Sequence, residues 1–243
     1  MRRGFTKAKQ QEPQVMALSR NITPSQRIGL LAQKGIYEFH HNLHLLRKSD
    51  GVERVAQLLR LEDCVQEVQS RVRQILRNYQ NSPLLLGKRI LLLTRGDEGF
   101  PKPILIEQGD YRFRLYAAMD CIFTESAGIL HILDFKTGKS PFDRRQALVY
   151  LLAVRYLYPG HEAIASFYNL EFCNQSEIIK VTQSELDGVE FELAQIAKKH
   201  QQDLRKYEQE DQNFSTIFPP NPGHHCRYCP FNSICEFSGV GNE

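Results

Sequence analysis

Two acids and a lysine carry the chemistry this sequence offers. Residues 129–138 read Ile-Leu-His-Ile-Leu-Asp-Phe-Lys-Thr-Gly, an apolar run closed by Asp134 and Lys136. Such a run reads as a buried strand, and side chains two apart on a strand share a face. A carboxylate and an ammonium together at a strand end can hold a hard cation and manage charge on a phosphate. Asp120 closes the apolar residues 115–119 and adds a second carboxylate upstream. Downstream, Gln146 and Tyr150 are one helical turn apart and share a face. Taken singly, Asp-x-Lys is usually a solvated strand end, and Gln146 and Tyr150 are ordinary helix positions. The three in this order carry more information than any one of them.

Acid, strand, Asp-x-Lys-Thr-Gly and a following Gln-x-x-x-Tyr helix resemble the PD-(D/E)xK nuclease superfamily, in particular its RecB-like branch and the CRISPR-adaptation relatives. The resemblance covers residues 100 to 170 and, separately, the C-terminal tail. It implies a restriction-endonuclease-like core with Asp120 as the first metal-binding acid and Asp134 as the second. Lys136 would orient or activate the attacking water, and a peptide carbonyl near Phe135 would be a further ligand. Gln146 and Tyr150 would orient the DNA strand or the lysine. Met119 stands where the family name has its proline. The family often adds a His or Glu from a helix before the strands. His40, His41, His44 and Glu67 are candidates, and Glu67 is preferred because its helix directly precedes the strands. The usual Gly-x-x-x-His is not clean, since Gly35 is followed at that distance by Phe39.

The implied activity is a Mg²⁺- or Mn²⁺-dependent deoxyribonuclease, in DNA repair, recombination or CRISPR-type processing. Its partners would be DNA, single-stranded or with free ends, and a helicase or other DNA-processing protein. The alternative is a nuclease-fold DNA-binding module that has lost cutting, or a zinc-binding scaffold in which Asp-x-Lys is incidental.

A second constellation lies near the C-terminus. Cys226, Cys229 and Cys235 have the spacing C-x2-C-x5-C within turn-rich sequence. Thiolates so spaced suit zinc or an iron–sulfur cluster. In the RecB-like branch such a group resembles the lower part of a [4Fe-4S] clamp, whose fourth cysteine comes from the N-terminal region. Here the only cysteine before the strands is Cys64, in surroundings unlike the family's. His224 or His225 would complete a zinc site instead. Cys121 and Cys173 fall in predicted strands and read as core residues.

These residues need elements to position them. Thr23-Pro24-Ser25-Gln26 is a helix start, and apolar spacing continues the helix from Ile28 to Leu46. Further helices are expected over 52–59 and 62–79. Strands follow over 89–94, 103–107, 111–123 and 130–135, then a helix over 141–157. Strands over 163–170 and 177–181 precede a long helix ending near Tyr207. The order predicts a mixed α/β (α+β) sheet with the Gln-x-x-x-Tyr helix on one face. The expected domains are a flexible basic arm over 1–20, a nuclease-like domain over 21–210 and a cysteine-bearing tail over 211–243. Within the second, 21–82 is the helical part and 85–210 the catalytic core.

The 243 residues are 42% hydrophobic, enough for one sizeable core. A net charge of +3 is too small to establish a nucleic-acid partner by composition. No apolar stretch is long enough to span a bilayer, and the N-terminus lacks the apolar segment of a signal peptide. A cytoplasmic protein is expected, where closely spaced cysteines favour metal over disulfide.

Overall fold

A computed structural model describes residues 2–139, 141–209 and 213–238. It divides into two compact units, Thr23–Glu192 and Met1–Ile22 with Leu193–Glu243. These bounds differ from the expected 21–210 and 211–243, because the C-terminal half of one long helix belongs with the chain ends.

Helices α1 (Arg2–Lys7) and α2 (Pro13–Arg20) begin the smaller unit. The expected flexible arm is therefore helical. Phe5 and Val15 are buried against Phe231, a long-range packing that local composition does not reveal.

The larger unit opens with α3 (Pro24–His41). Thr23 and Gln26 form a reciprocal capping box and Pro24 occupies the first turn. The helix stops at His41 rather than Leu46. Residues Leu43–Arg47 tighten into a 3-10 turn that still buries Leu45 and Leu46, which explains the helical spacing. Helices α4 (Gly51–Leu58) and α5 (Gln66–Asn81) complete this layer.

The strands are β1 (Arg89–Leu93), β2 (Ile104–Gln108), β3 (Tyr111–Leu115), β4 (Cys121–Thr124) and β5 (Leu130–Lys136). Then come α6 (Arg144–Leu157), β6 (Ala163–Asn169), β7 (Asn174–Gln175) and α7 (Gln183–Gln209). A short α8 (Phe214–Ile217) precedes the tail. The expected strand 111–123 is two strands. Residues 116–119 keep the alternation of exposed and buried side chains without a ladder partner. The expected strand at 177–181 reduces to one bridge, Ile179 with Ala165.

The main sheet has the order β1-β4-β5-β6-β7, with β5 and β6 parallel and the other pairs antiparallel; β2 and β3 form a separate hairpin. Cys121, Phe123, Leu133 and Phe135 face the core shared with α3, α4 and α5. The alternate residues of β5, Asp134 and Lys136, meet α6 instead. The expected mixed sheet, with the Gln-x-x-x-Tyr helix on one face, is what the fold shows.

Candidate active site

Asp120 stands immediately before β4. Cys121 pairs with Leu133, so one further step along the antiparallel ladder sets Asp120 opposite Asp134. Local sequence explains both positions. Apolar β5 is buried along its length, and Asp134 is the acid placed where its face turns towards α6. The turn after β5 is held by the Asn169 amide, which donates to the Gly138 carbonyl at 2.8 Å.

Asp120 is held from two sides. The Phe135 N–H donates to its Oδ2 at 2.8 Å, and Gln33 Nε2 donates to its Oδ1 at 2.9 Å. On the other acid, Oδ1 accepts from Gln146 Nε2 at 2.9 Å and from the Tyr150 hydroxyl at 3.1 Å. Lys136 Nζ donates to Gln146 Oε1 at 2.8 Å and lies 2.5 Å from Asp134 Oδ2. That oxygen is buried and has no hydrogen bond of good geometry among the described residues. Asp120, Asp134, Phe135, Lys136, Gln146 and Tyr150 are thus brought together in one site.

The electrostatics follow from burial. Loss of water, and then the charge of Asp134, push the Asp120 carboxyl up to about 7. Burial also raises Asp134, and the Lys136 ammonium works against that rise. Burial and the neighbouring Asp134 keep the Tyr150 hydroxyl protonated, so it remains a donor. Two facing carboxyls that resist ionisation leave a place for positive charge. Oxygen donors of this kind suit a hard divalent cation.

Gln33 was not foreseen. It is the third helical turn of α3 that delivers it to Asp120, and its amide also donates to Thr94 Oγ1 at 3.0 Å. A signal existed: Gly29 and Gln33 have the Gly-x-x-x spacing, with an amide where a His was sought. A Cβ on Gly29 would lie 3.3 Å from Thr137 Oγ1, so α3 runs close to the end of β5 there.

The expected helix ligand does not join the pair. Glu67 is exposed in the first turn of α5, 3.8 Å from Arg71. His40 Nε2 lies 2.6 Å from the Tyr79 hydroxyl, and burial lowers its pKa to about 4. His41 stacks on Tyr37, and His44 is exposed. Cys64 is half-buried against the core of the larger unit.

Cys226, Cys229 and Cys235 line one recess of about 410 Å³ in the smaller unit, beside Arg2, Arg3 and His225. The side chain of His224 lies outside the described residues. Among the described residues no three His, Cys, Asp or Glu side chains converge as a metal site. The recess supplies three of the four thiolates that a [4Fe-4S] cluster takes. The acid pair offers the one or two carboxylates through which Mg²⁺ binds while keeping several waters.

No helix of the described residues is long and apolar enough to cross a membrane. No curated protein is significantly similar in sequence. The solved structure described as "Crystal structure of SSO0001" aligns over 96% of each chain at 13% identity and a TM-score of 0.37, a likeness too loose to bear on fold or function. The family comparison is of another kind. The family model of the PD-(D/E)XK nuclease superfamily matches residues 8–236, almost the whole chain, and this chain belongs to that superfamily.

Proposed function

We propose that this chain is a metal-dependent deoxyribonuclease that hydrolyses phosphodiester bonds at the Asp120–Asp134 pair. The observation that carries the reading is the placement of Asp120 opposite Asp134 with Lys136 2.5 Å from the second acid. Asp120, Asp134 and the Phe135 carbonyl would hold Mg²⁺ or Mn²⁺. The buried, poorly bonded Asp134 Oδ2 is an oxygen such an ion would satisfy. A bound divalent ion supplies an acidified water and screens the scissile phosphate.

The chain's own groups do the rest. The Phe135 N–H and Gln33 fix the Asp120 carboxylate so that it need not reorganise when charge develops. Gln146 ties Lys136 to Asp134, bonding one through its oxygen and the other through its amide nitrogen. The Lys136 side chain is 30% exposed, so this part of the site is open to an arriving phosphate. There Lys136 positions the attacking water or stabilises the developing negative charge.

The test is cleavage of labelled single- and double-stranded DNA with Mg²⁺ or Mn²⁺. Wild type cuts; Asp134→Ala does not, and its circular dichroism is unchanged. Lys136→Ala loses on the order of 10²–10³ in kcat, the worth of one preorganised charge-stabilising donor. Undiminished cleavage by Asp134→Ala removes the site assignment.

A further inference from the structure

We propose that Phe100 and Tyr116 form a stacking platform for unpaired bases of the strand being cut, beside a cleft whose lining includes both Phe100 and Asp120. The inference rests on the nuclease reading and specifies what that site takes: a strand whose bases are unstacked.

The cleft is about 590 Å³, with Gln33 and Asp120 at one place in its wall. Leu92, Phe100, Met119 and Leu157 supply much of the remaining lining. A phosphate backbone has no use for such walls, but the faces of bases do. Phe100 is 84% exposed, unusual for a phenylalanine, and Tyr116 is 48% exposed. Their ring centroids are 6.0 Å apart at 71°, an edge-to-face pair in solvent.

Both rings are tied to the metal-side acid by short lengths of chain. Tyr116 lies four residues before Asp120. Phe100 lies on the loop that leaves β1 at Thr94, whose N–H donates to the Asp120 carbonyl at 2.9 Å. The loop is pinned: Asp97 lies 2.5 Å from Lys34 on α3, and the Arg95 N–H donates to Glu98 at 2.6 Å. A pinned loop that presents a phenylalanine to water holds it ready for an occupant. Lys102, exposed on the same cleft, forms no ion pair among the described residues and is placed to meet a phosphate beside a stacked base.

Those features together favour a nucleic-acid strand over an apolar peptide, which would need neither Lys102 nor the adjoining acid. Duplex bases have their faces covered by one another, whereas single strands offer them to aromatic side chains.

The chain contains no tryptophan, so Phe100→Trp installs a single fluorescent reporter on the platform. It is placed in an Asp134→Asn background with chelator, to prevent cleavage. Oligothymidylate and an abasic strand of equal length are titrated in, with binding followed independently by anisotropy of the labelled strand. Saturable quenching by oligothymidylate, far weaker with the abasic strand, is the expected result. In otherwise wild-type protein, Phe100→Ala then raises KM for single-stranded DNA roughly fivefold to a hundredfold, the span of one base–aromatic stack. Its kcat is little changed, and Phe100→Tyr restores KM.

Strand binding without quenching, or equal quenching by the abasic strand, overturns the platform and leaves the nuclease reading standing. No binding of either strand, together with no cleavage by wild type, overturns both. A concentration-dependent emission shift without nucleic acid gives the face to a second copy of the chain and overturns the proposal.

Discussion

Gln33 makes the acid pair a tuned one. Its amide donates to Asp120 Oδ1, and a donor to a carboxylate favours the charged form. Burial and Asp134 pull the other way and prevail, leaving Asp120 at about 7. Removing the donor therefore raises Asp120 further. In Gln33→Ala the proton competes longer with the metal for Asp120, and at subsaturating Mg²⁺ the acidic limb of the pH–rate profile moves upward. A hydrogen bond to a charged group is worth about 1.5 kcal/mol or more, so activity near pH 7 falls about tenfold. At alkaline pH, where Asp120 is ionised in both proteins, much of that loss is recovered. A uniform loss at every pH would instead mean that Gln33 acts only by shaping the pocket. Gln33→Glu makes the sign visible, because a third carboxylate at that place also pushes Asp120 up. Only a group that donates to Asp120 keeps the limb low.

At the scale of elements, the α3–α5 contact sets where Gln33 points. Gly35 faces α5, and a Cβ there would lie 2.3 Å from Leu76 Cδ2, a side chain with no solvent exposure. This glycine serves helix crossing rather than the acid pair. Alanine at an internal helix position gains about 1 kcal/mol over glycine, whereas forcing a methyl into a filled core costs roughly 1–3 kcal/mol. With a contact this short and a neighbour this enclosed, the cost prevails. Gly35→Ala lowers the urea midpoint, and Leu76→Val in the same chain restores part of the loss, giving a coupling that a double-mutant cycle reads directly. Additive effects would show that the two positions do not meet. Elements of this kind also explain what could be read without coordinates. Strand β5, the α3 capping box and the Gln146–Tyr150 face are set by neighbours within a few residues, so local pattern announces them. Gln33 and Asp120 are 87 residues apart and meet only because α3 crosses the sheet end. Residues 116–119 keep a strand's alternation and lack a partner strand, which pattern alone does not distinguish.

At the scale of the whole molecule, the ends of the chain build one unit, and aromatic packing is what joins them. The Phe5 ring lies 5.2 Å from Phe231 and 5.1 Å from Phe214, while Phe214 and Phe218 are also 5.2 Å apart. Gly4 is pressed so closely on this group that a Cβ would lie 2.6 Å from Phe218 Cγ. Arg3 adds an ion pair with Asp203 of α7 at 2.5 Å. Cys229 and Cys235 pack against the rings. The unit therefore has an apolar reason to hold together that does not pass through a metal. Truncating a buried phenylalanine costs about 3–5 kcal/mol, enough to open a cluster as small as Phe5, Val15 and Phe231. Phe5→Ala is then expected to speed amide hydrogen exchange in residues 2–20 and 214–238 together, with residues 130–136 of β5 unaffected. Prolonged chelation of the wild type leaves exchange in both end segments as it was. The opposite pattern, with chelator loosening the ends and Phe5→Ala leaving them tight, would assign the holding role to a metal on Cys226, Cys229 and Cys235.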